Sequence, residues 1–555
     1  MASTLVVGTF VLYLLIVLAI GVWGATNTGN QEDYLLGGRN LNVVWASMSE
    51  QASLWSGWLT VGFPGFVYSG GLTGMWWFFW CIPGNMLAWG MVAKRLSRYT
   101  RMLKALTLPE FLGKRFRDQY TAVIIIAAIA ATYFYFFYVG AQLLAGLATL
   151  SAGIGLSREL AFIITFVIVV GYTLVGGYLA VSLTDVMQGI LMMVFAIAVP
   201  LATIATVGSF DQLITRFNQV ADPSMTTWTG GLDGIALWLT IITLVGFGLP
   251  FLAQPHGIVR YMSMKKPSSI GFGMMVVAIF QVIAVIGIPI LAIGGLLFFP
   301  NLANVDNIAP QMIVEVLPPW LSGILLAAII AAVMSTADSQ LLVVGSSVGE
   351  DVYKGVINRD ASDRKVMLVT RGAVLGAGLV AGAVAWTTPD TVFTAIAFAW
   401  GGLGTTFIAP LVAGLWWDRA NGPGAVAGLV VGFFGAPIWS NNMLGSGPMI
   451  DGIALFDYYF VLPVLVLSTL SLVVVTFLTS PPGADTAQEI REISRPLQEE
   501  IGSVSRPGSS PGPAATDGGR PDSGDTGRTE ALAIPEEEIV TDFVRQQRLS
   551  DLPPA

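Results

Sequence analysis

Apolar runs of about twenty residues, the length that crosses a bilayer, recur along the first 480 positions. They predict about thirteen spans, near 5–24, 42–69, 73–93, 121–149, 160–178, 184–207, 235–253, 270–298, 319–346, 368–387, 391–416, 423–443 and 456–478. The ninth breaks the pattern: between Leu325 and Ser347 it carries Ser335, Thr336, Asp338, Ser339 and Gln340 near its centre. Hydrocarbon cannot solvate such groups, so a spanning helix holds them only where protein, water or an ion satisfies them. Hydroxyls beside a carboxylate are what a small hard cation takes, a rule extended here from Ca²⁺ and Mg²⁺ to Na⁺. Ser and Thr also bond back to their own helix carbonyls. That accounts for Ser335 and Thr336 but not for Asp338, whose charge costs roughly 2.5 to 3.5 kcal/mol at mid-membrane.

Two further spans are unsuited to continuous helix. The second runs through Met48-Ser49-Glu50-Gln51-Ala52-Ser53-Leu54-Trp55-Ser56-Gly57-Trp58, with Gly62, Pro64 and Gly65 after it. The seventh contains Gly246-Phe247-Gly248-Leu249-Pro250-Phe251 and leads to Gln254-Pro255-His256. Gly and Pro weaken or remove helical hydrogen bonds and free carbonyls. Freed carbonyls ligate cations, and half-helix N-termini favour anionic groups. The interrupted spans lie five apart, so five-helix units of about 42–207 and 235–416 would have opposite topology, each starting on a broken helix. That is the inverted-repeat pattern of secondary transporters, with the site at the repeat interface. Gly and Pro placed for packing alone are the plainer alternative for either span taken singly.

Composition sets the class: 54% hydrophobic, 11% charged and a mean hydropathy of +0.72 describe an all-α polytopic membrane protein. A single cysteine, Cys81, and a single histidine, His256, exclude intrachain disulfides and Cys- or His-cluster metal chemistry. Leu5 to Val22 lacks a basic leader and a small-residue cleavage site, and reads as a retained helix. Most of the net charge of −8 falls after Ser480, where seven Arg face fourteen Asp and Glu among abundant Pro, Gly and Ser. Residues 481–555 are therefore expected to be a disordered acidic tail, with at most a short helix near 536–547. Eighteen basic residues, including Arg39, Lys94, Arg115, Arg260 and Lys354, lie on one side of the spans, against Arg158 and Arg216 on the other. This bias puts the N-terminus outside and the tail in the cytoplasm of a cell-membrane protein.

The residues also carry a resemblance. Glu32 to Arg39, Ser56 to Trp58, Ala105 to Glu110, Ser182 to Gln188, Gln254 to His256 and Ala331 to Leu342 appear in the order seen in the sodium/solute symporter family. Over residues 5 to 478 the chain resembles that family, and within it most closely the sodium/proline symporters. The resemblance implies a leucine-transporter-type core of ten helices in two inverted repeats, working by alternating access. It implies a sodium site formed by the carbonyls of Ala52, Trp55 and Ala332 and the hydroxyls of Ser335 and Thr336. Ala332, Ser335 and Thr336 share one helical face at i, i+3 and i+4, consistent with that role.

The resemblance further implies a solute wall of Phe247, Phe251, Pro255 and Tyr138, the two phenylalanines standing where proline symporters have Trp and Tyr. It places an Asp of the broken helix at a position that here is Leu54. Glu50, four residues earlier, or Asp338, three after Ser335, is the candidate replacement, and bracing the broken helix is the alternative role for either. Asp185 resembles a family acid linked to ion release. The expected activity is Na⁺-coupled uptake of a small organic solute, proline or another amino acid, with H⁺ coupling or a transporter-like sensor as alternatives. Its partners would be Na⁺, the solute and the lipid bilayer, with no nucleic acid and no organic cofactor. No nucleophile–base pair or phosphate loop points to an enzyme.

Overall fold

In the computed structural model the named elements of the described residues are helices apart from one antiparallel strand pair, β1 (Met449–Ile450) with β2 (Ile453–Ala454). The structure describes residues 4–26, 36–118, 121–175, 178–265, 270–387, 391–441, 443, 445, 447–450 and 453–494. The first half contains α1 (Thr4–Thr26), α2 (Val43–Gly57), α3 (Phe63–Gly70), α4 (Met75–Phe79), α5 (Cys81–Leu87), α6 (Lys94–Met102) and α7 (Leu108–Arg115). There follow α8 (Ala122–Ala148), α9 (Arg158–Val175), α10 (Tyr178–Val207) and α11 (Phe210–Val220). The second half has α12 (Gly234–Gly248), α13 (Pro255–Ser263), α14 (Ile270–Phe298), α15 (Ile308–Val316) and α16 (Pro319–Ser346). It closes with α17 (Asp363–Thr387), α18 (Val392–Trp416), α19 (Gly422–Ser440), α20 (Val461–Leu478) and α21 (Ala484–Ser494).

Among the described residues, nine helical runs are long and apolar enough to cross a membrane. The remaining four expected spans coincide with α1, with α9, and with two interrupted runs, α2–α3 and α4–α6. Wide π turns at Trp58–Gly62 and Ala88–Ala93 fall within those two runs, so among the described residues nine of the expected spans are single long apolar helices. The break in the seventh expected span is local to backbone chemistry. Pro250 sits in a 3-10 turn, Leu249–Leu252, that follows α12. Gln254 is extended (φ −68°, ψ 112°), as a residue preceding proline prefers, and Pro255 opens α13 at the position where its missing N–H is not needed.

Over its most apolar stretch α16 is 83% buried, against 28% for α20, so α16 forms the centre and α20 the periphery. α16 packs on α1, α2, α8 and α10, and α2 also meets α13 and α14. Small residues let backbones meet in this core, as in membrane helix pairs generally. A Cβ on Gly84 of α5 would stand 2.0 Å from the Gly248 carbonyl oxygen, and one on Gly248 would stand 2.0 Å from that of Trp80.

The disorder expected from residue 481 does not extend to Ala484–Ser494. Ala484–Ser494 form α21, which lies on α6 with Thr486, Ile490 and Ile493 buried. The Tyr99 hydroxyl donates to Glu489 (2.7 Å), and Arg117 pairs with the same carboxylate (3.1 Å). Thr486, Ile490 and Ile493 fall at helical spacing on one face, a local pattern that the average composition of the tail hides. Residues 495–555, with the short helix expected near 536–547, lie outside the described residues.

Candidate functional site

The break in α2 is sharp. Ser56 has φ +34° and ψ −170°, a conformation non-glycine residues rarely adopt and one that clusters at functional sites. Its surroundings hold it there. The Gly57 N–H donates to Gln142 Oε1 of α8 (2.8 Å), the Trp58 N–H reaches Ser56 Oγ (3.1 Å), and Trp58 Nε1 donates to the Leu54 carbonyl (2.7 Å). Gly57 has no room for a side chain, since a Cβ would stand 2.6 Å from that of Ala145.

Against this break α16 presents its polar face. Ser335 Oγ lies 2.9 Å from the Ala52 carbonyl and 3.0 Å from that of Ala332. Thr336 Oγ1 lies 2.8 Å from the Ser53 carbonyl and 3.1 Å from that of Ala332. Ala52, Ala332, Ser335 and Thr336 therefore meet across the α2–α16 interface, joined by the carbonyl of Ser53. The Trp55 carbonyl is engaged differently, by the N–H of Trp58, and the Trp55 ring packs edge-on to Phe280. The cluster is made of neutral hard oxygens. Each hydroxyl has one proton and two lone pairs, and each carbonyl has two lone pairs. Donating that proton to a carbonyl leaves oxygen density for a cation of the Na⁺ type.

The three acids divide. Asp185 of α10 is tied to the cluster: Ser49 and Ser53 donate to its Oδ2 (2.6 and 3.3 Å), and Ser53 Oγ also lies 3.3 Å from the Ser335 carbonyl. The same Oδ2 pairs at 2.7 Å with Arg260 of α13, both side chains almost wholly buried. Arg260 further donates to Ser49 Oγ (3.1 Å), Ser53 Oγ (2.6 Å), Ser339 Oγ (2.8 Å) and the His256 carbonyl. Glu50 instead accepts from Tyr261, Trp89 and the neighbouring Gln51 (2.9, 3.1 and 2.7 Å). Asp338 accepts from Thr173 Oγ1 of α9 (2.6 Å). Leu54 is buried opposite Gly257.

Arg260 is the site residue that reading the sequence placed elsewhere, among the loop charges. Its signal was present: it lies five positions after Pro255, inside a helix that starts at the second break, four residues from His256. Arg39 and Arg115 are likewise buried rather than in loops. Arg39 donates to the carbonyls of Ala105 and Met262, and Arg115 to those of Gly414, Trp417 and Ala420.

The aromatic candidates form a cluster at the second break. Trp400 of α18 donates from Nε1 to the Phe247 carbonyl (2.8 Å) and meets Phe251 edge-on at 4.7 Å between centroids. Phe247 also packs edge-on to Trp58, just beyond the first break, at 5.6 Å. The Tyr138 ring lies 5.6 Å from His256 and 6.5 Å from Trp400. His256 Nδ1 is 3.0 Å from the Tyr135 hydroxyl. Pro255 lines a cleft with Thr107, His256, Arg260, Ser339 and Ser346.

The profile of the sodium:solute symporter family matches residues 34–432. The chain belongs to that family. The symporter is 33% identical over 486 residues to the high-affinity proline transporter of Bacillus subtilis, covering 86% of this chain and 98% of the relative. It is 32% identical over 505 residues to a sodium/proline symporter of Staphylococcus aureus, covering 88% and 95%. In fold it is similar to a Na⁺-coupled sialic acid symporter in a substrate-bound outward-open state, with a TM-score of 0.70 at 20% identity over 86% of this chain and 99% of that one. A nucleobase-cation-symport-1 family transporter is similar more distantly, with a TM-score of 0.50 at 12% identity over 84% and 100%. The symporter thus has the leucine-transporter-type fold of inverted repeats. It is a multi-pass membrane protein that couples sodium to solute transport, and it is not an enzyme.

Proposed function

We propose that this symporter carries a small zwitterionic amino acid, proline first among them, into the cell by alternating access with sodium as the driving ion. The observation that carries the reading is the meeting of Ser335 and Thr336 with the carbonyls of Ala52, Ser53 and Ala332 across the broken helix. Those oxygens would hold the ion, joined by the Trp55 carbonyl once it leaves the Trp58 N–H. Sodium there fixes α2 against α16 and thereby the wall formed by Tyr138, Phe247, Phe251 and Pro255. The aromatic wall suits the small apolar body of proline, and the two proline-carrying relatives favour it over a sugar. Asp185 is the acid best placed to act on the ion, through Ser53. Glu50 and Asp338 serve as braces for α2 and α9. The N-terminus faces outside and the tail faces the cytoplasm, as the distribution of basic residues favours.

The test is uptake of labelled L-proline into proteoliposomes holding the full chain, beside other amino acids, sugars and carboxylates, with and without a sodium gradient. Sodium-driven proline uptake is expected, and in Ser335→Ala the sodium concentration for half-maximal rate should rise at least tenfold. Equal drive by a proton gradient in sodium-free buffer refutes sodium as the driving ion, and uptake of sugars in place of amino acids refutes the solute class.

A further inference from the structure

Each break in the membrane helices is flanked by a glutamine held at one end by backbone and free at the other. Gln142 of α8 accepts the Gly57 N–H with its Oε1, which fixes the amide so that Nε2 is the free end. Gln254 donates from Nε2 to the Trp400 carbonyl (3.0 Å), which fixes the opposite sense and leaves Oε1 free. Both side chains are completely buried, and neither free atom has a hydrogen-bond partner. Leaving a buried polar group unsatisfied costs about 1–3 kcal/mol, so a group retained this way has a partner in the working cycle. Residues beside the two glutamines meet each other. Tyr138, one turn before Gln142 on the same face of α8, lies 6.5 Å from Trp400, the residue that anchors Gln254. Other buried glutamines differ: Gln51 is held at Nε2 by the Glu50 side chain and not by backbone, and Gln188, Gln281 and Gln340 have both amide atoms unpartnered, so no backbone bond decides which end each presents.

We propose that Gln142 and Gln254 read the two poles of the solute, Gln142 Nε2 donating to its carboxylate and Gln254 Oε1 accepting from its protonated amine. This deepens the solute class argued above and rests on it. The polarity follows from the backbone partners. The end next to the first break is a pure donor, and the end next to the second is a pure acceptor. A zwitterion with both groups on one carbon satisfies both glutamines with charge-assisted bonds, stronger than the neutral ones a polyol hydroxyl would make, whereas a dicarboxylate leaves Gln254 Oε1 without a donor. Sites built around buried hydrogen-bonding groups discriminate strongly, because the wrong solute strands them.

The test reads selectivity ratios in proteoliposomes of the full chain, so that a general loss of activity cancels. The first ratio is kcat/KM for L-proline over L-prolinamide. Gln142→Glu keeps an oxygen for the Gly57 N–H and replaces the donor by a charge that repels carboxylate, so this ratio should fall at least tenfold. Gln142→Met, which lacks the donor without adding charge, is read the same way if the first variant does not insert. The second ratio is L-proline over N,N-dimethylproline, which offers no N–H. Gln254→Met should lower it at least tenfold. Ratios within twofold of the unaltered chain in both variants overturn the assignment. Carriage of a different amino acid removes proline alone, and the ratios are then read on that amino acid with its own amide and dimethyl forms. Carriage only of solutes without a carboxylate overturns both proposals.

Discussion

Replacing Asp185 by Asn removes one charge of a buried pair and leaves the Arg260 guanidinium inside the helix bundle. At the observed separation of 2.7 Å, the attraction is about 6 kcal/mol for an effective dielectric near 20. Desolvation of both ions offsets much of that. Breaking such a pair from one side has an effect of roughly 3–5 kcal/mol, because the survivor is buried without compensation. Arg260 retains the Ser49, Ser53 and Ser339 hydroxyls and the His256 carbonyl, which places the expected loss near the lower end, about 3 kcal/mol. Removing both charges in Asp185→Asn/Arg260→Gln should recover part of it, giving a coupling energy of about 2 kcal/mol. Reversible unfolding in mixed micelles, followed by tryptophan fluorescence, measures all four corners of this cycle. A single Asp185→Asn variant within about 1 kcal/mol of the unaltered chain, or strictly additive effects, would refute the view that this pair holds α2, α10, α13 and α16 together.

Glu50→Gln should lower stability by about 1–3 kcal/mol, the scale of a buried hydrogen-bonding mismatch, because Tyr261 donates to one carboxylate oxygen and Trp89 and Gln51 to the other, and an amide keeps only one of the two acceptors. Sodium binding by calorimetry should stay within twofold, and a tenfold weakening would restore Glu50 as a partner of the ion. Gly84→Ala should destabilise by about 1–3 kcal/mol through overpacking, since its methyl would meet the Gly248 carbonyl at 2.0 Å; an unchanged thermal midpoint would show that the seam relaxes freely. Glu489→Gln, by contrast, should shift stability by less than about 1 kcal/mol, because its ion pair with Arg117 is part exposed. A larger loss in the same unfolding assay would mean that the Glu489 charge, more than the buried face of α21, holds the helix on α6.

The broken helices were legible because glycine and proline act on the backbone within a few residues, so Gly248, Pro250 and Pro255 announce the second break wherever the rest of the chain goes. The face holding Ala332, Ser335 and Thr336 was legible for a similar reason, since helical spacing is local. What joined those residues to others was not. Ser53 and Ser339 sit in the polar stretches, yet their bond to Arg260 depends on how α13 crosses α2 and α16. Arg260 and Arg39 were read as loop charges because a count of basic residues near span ends cannot tell a side chain pointing to water from one turned inward onto carbonyls. Glu50 and Leu54 share a helical face, but that proximity did not foretell that Glu50 is occupied by Tyr261 and Trp89. The first helix of the tail escaped notice because three residues of pattern, Thr486, Ile490 and Ile493, are diluted by the composition around them.

The contact between Gly84 and Gly248 bears on how the protein can move. Two backbones that touch with no side chains between them behave as a keyed joint: sliding by one residue would drive a Cβ into a carbonyl. α5 and the end of α12 must therefore travel as one body during transport. Motion of the second broken helix is confined to the six residues from Leu249 to Gln254, between that joint and Pro255. Hinges of this kind sit at element ends that absorb large backbone rotations. This one contains Phe251, whose ring meets that of Trp400, so rotating it would part that pair and, with it, the wall proposed for the solute.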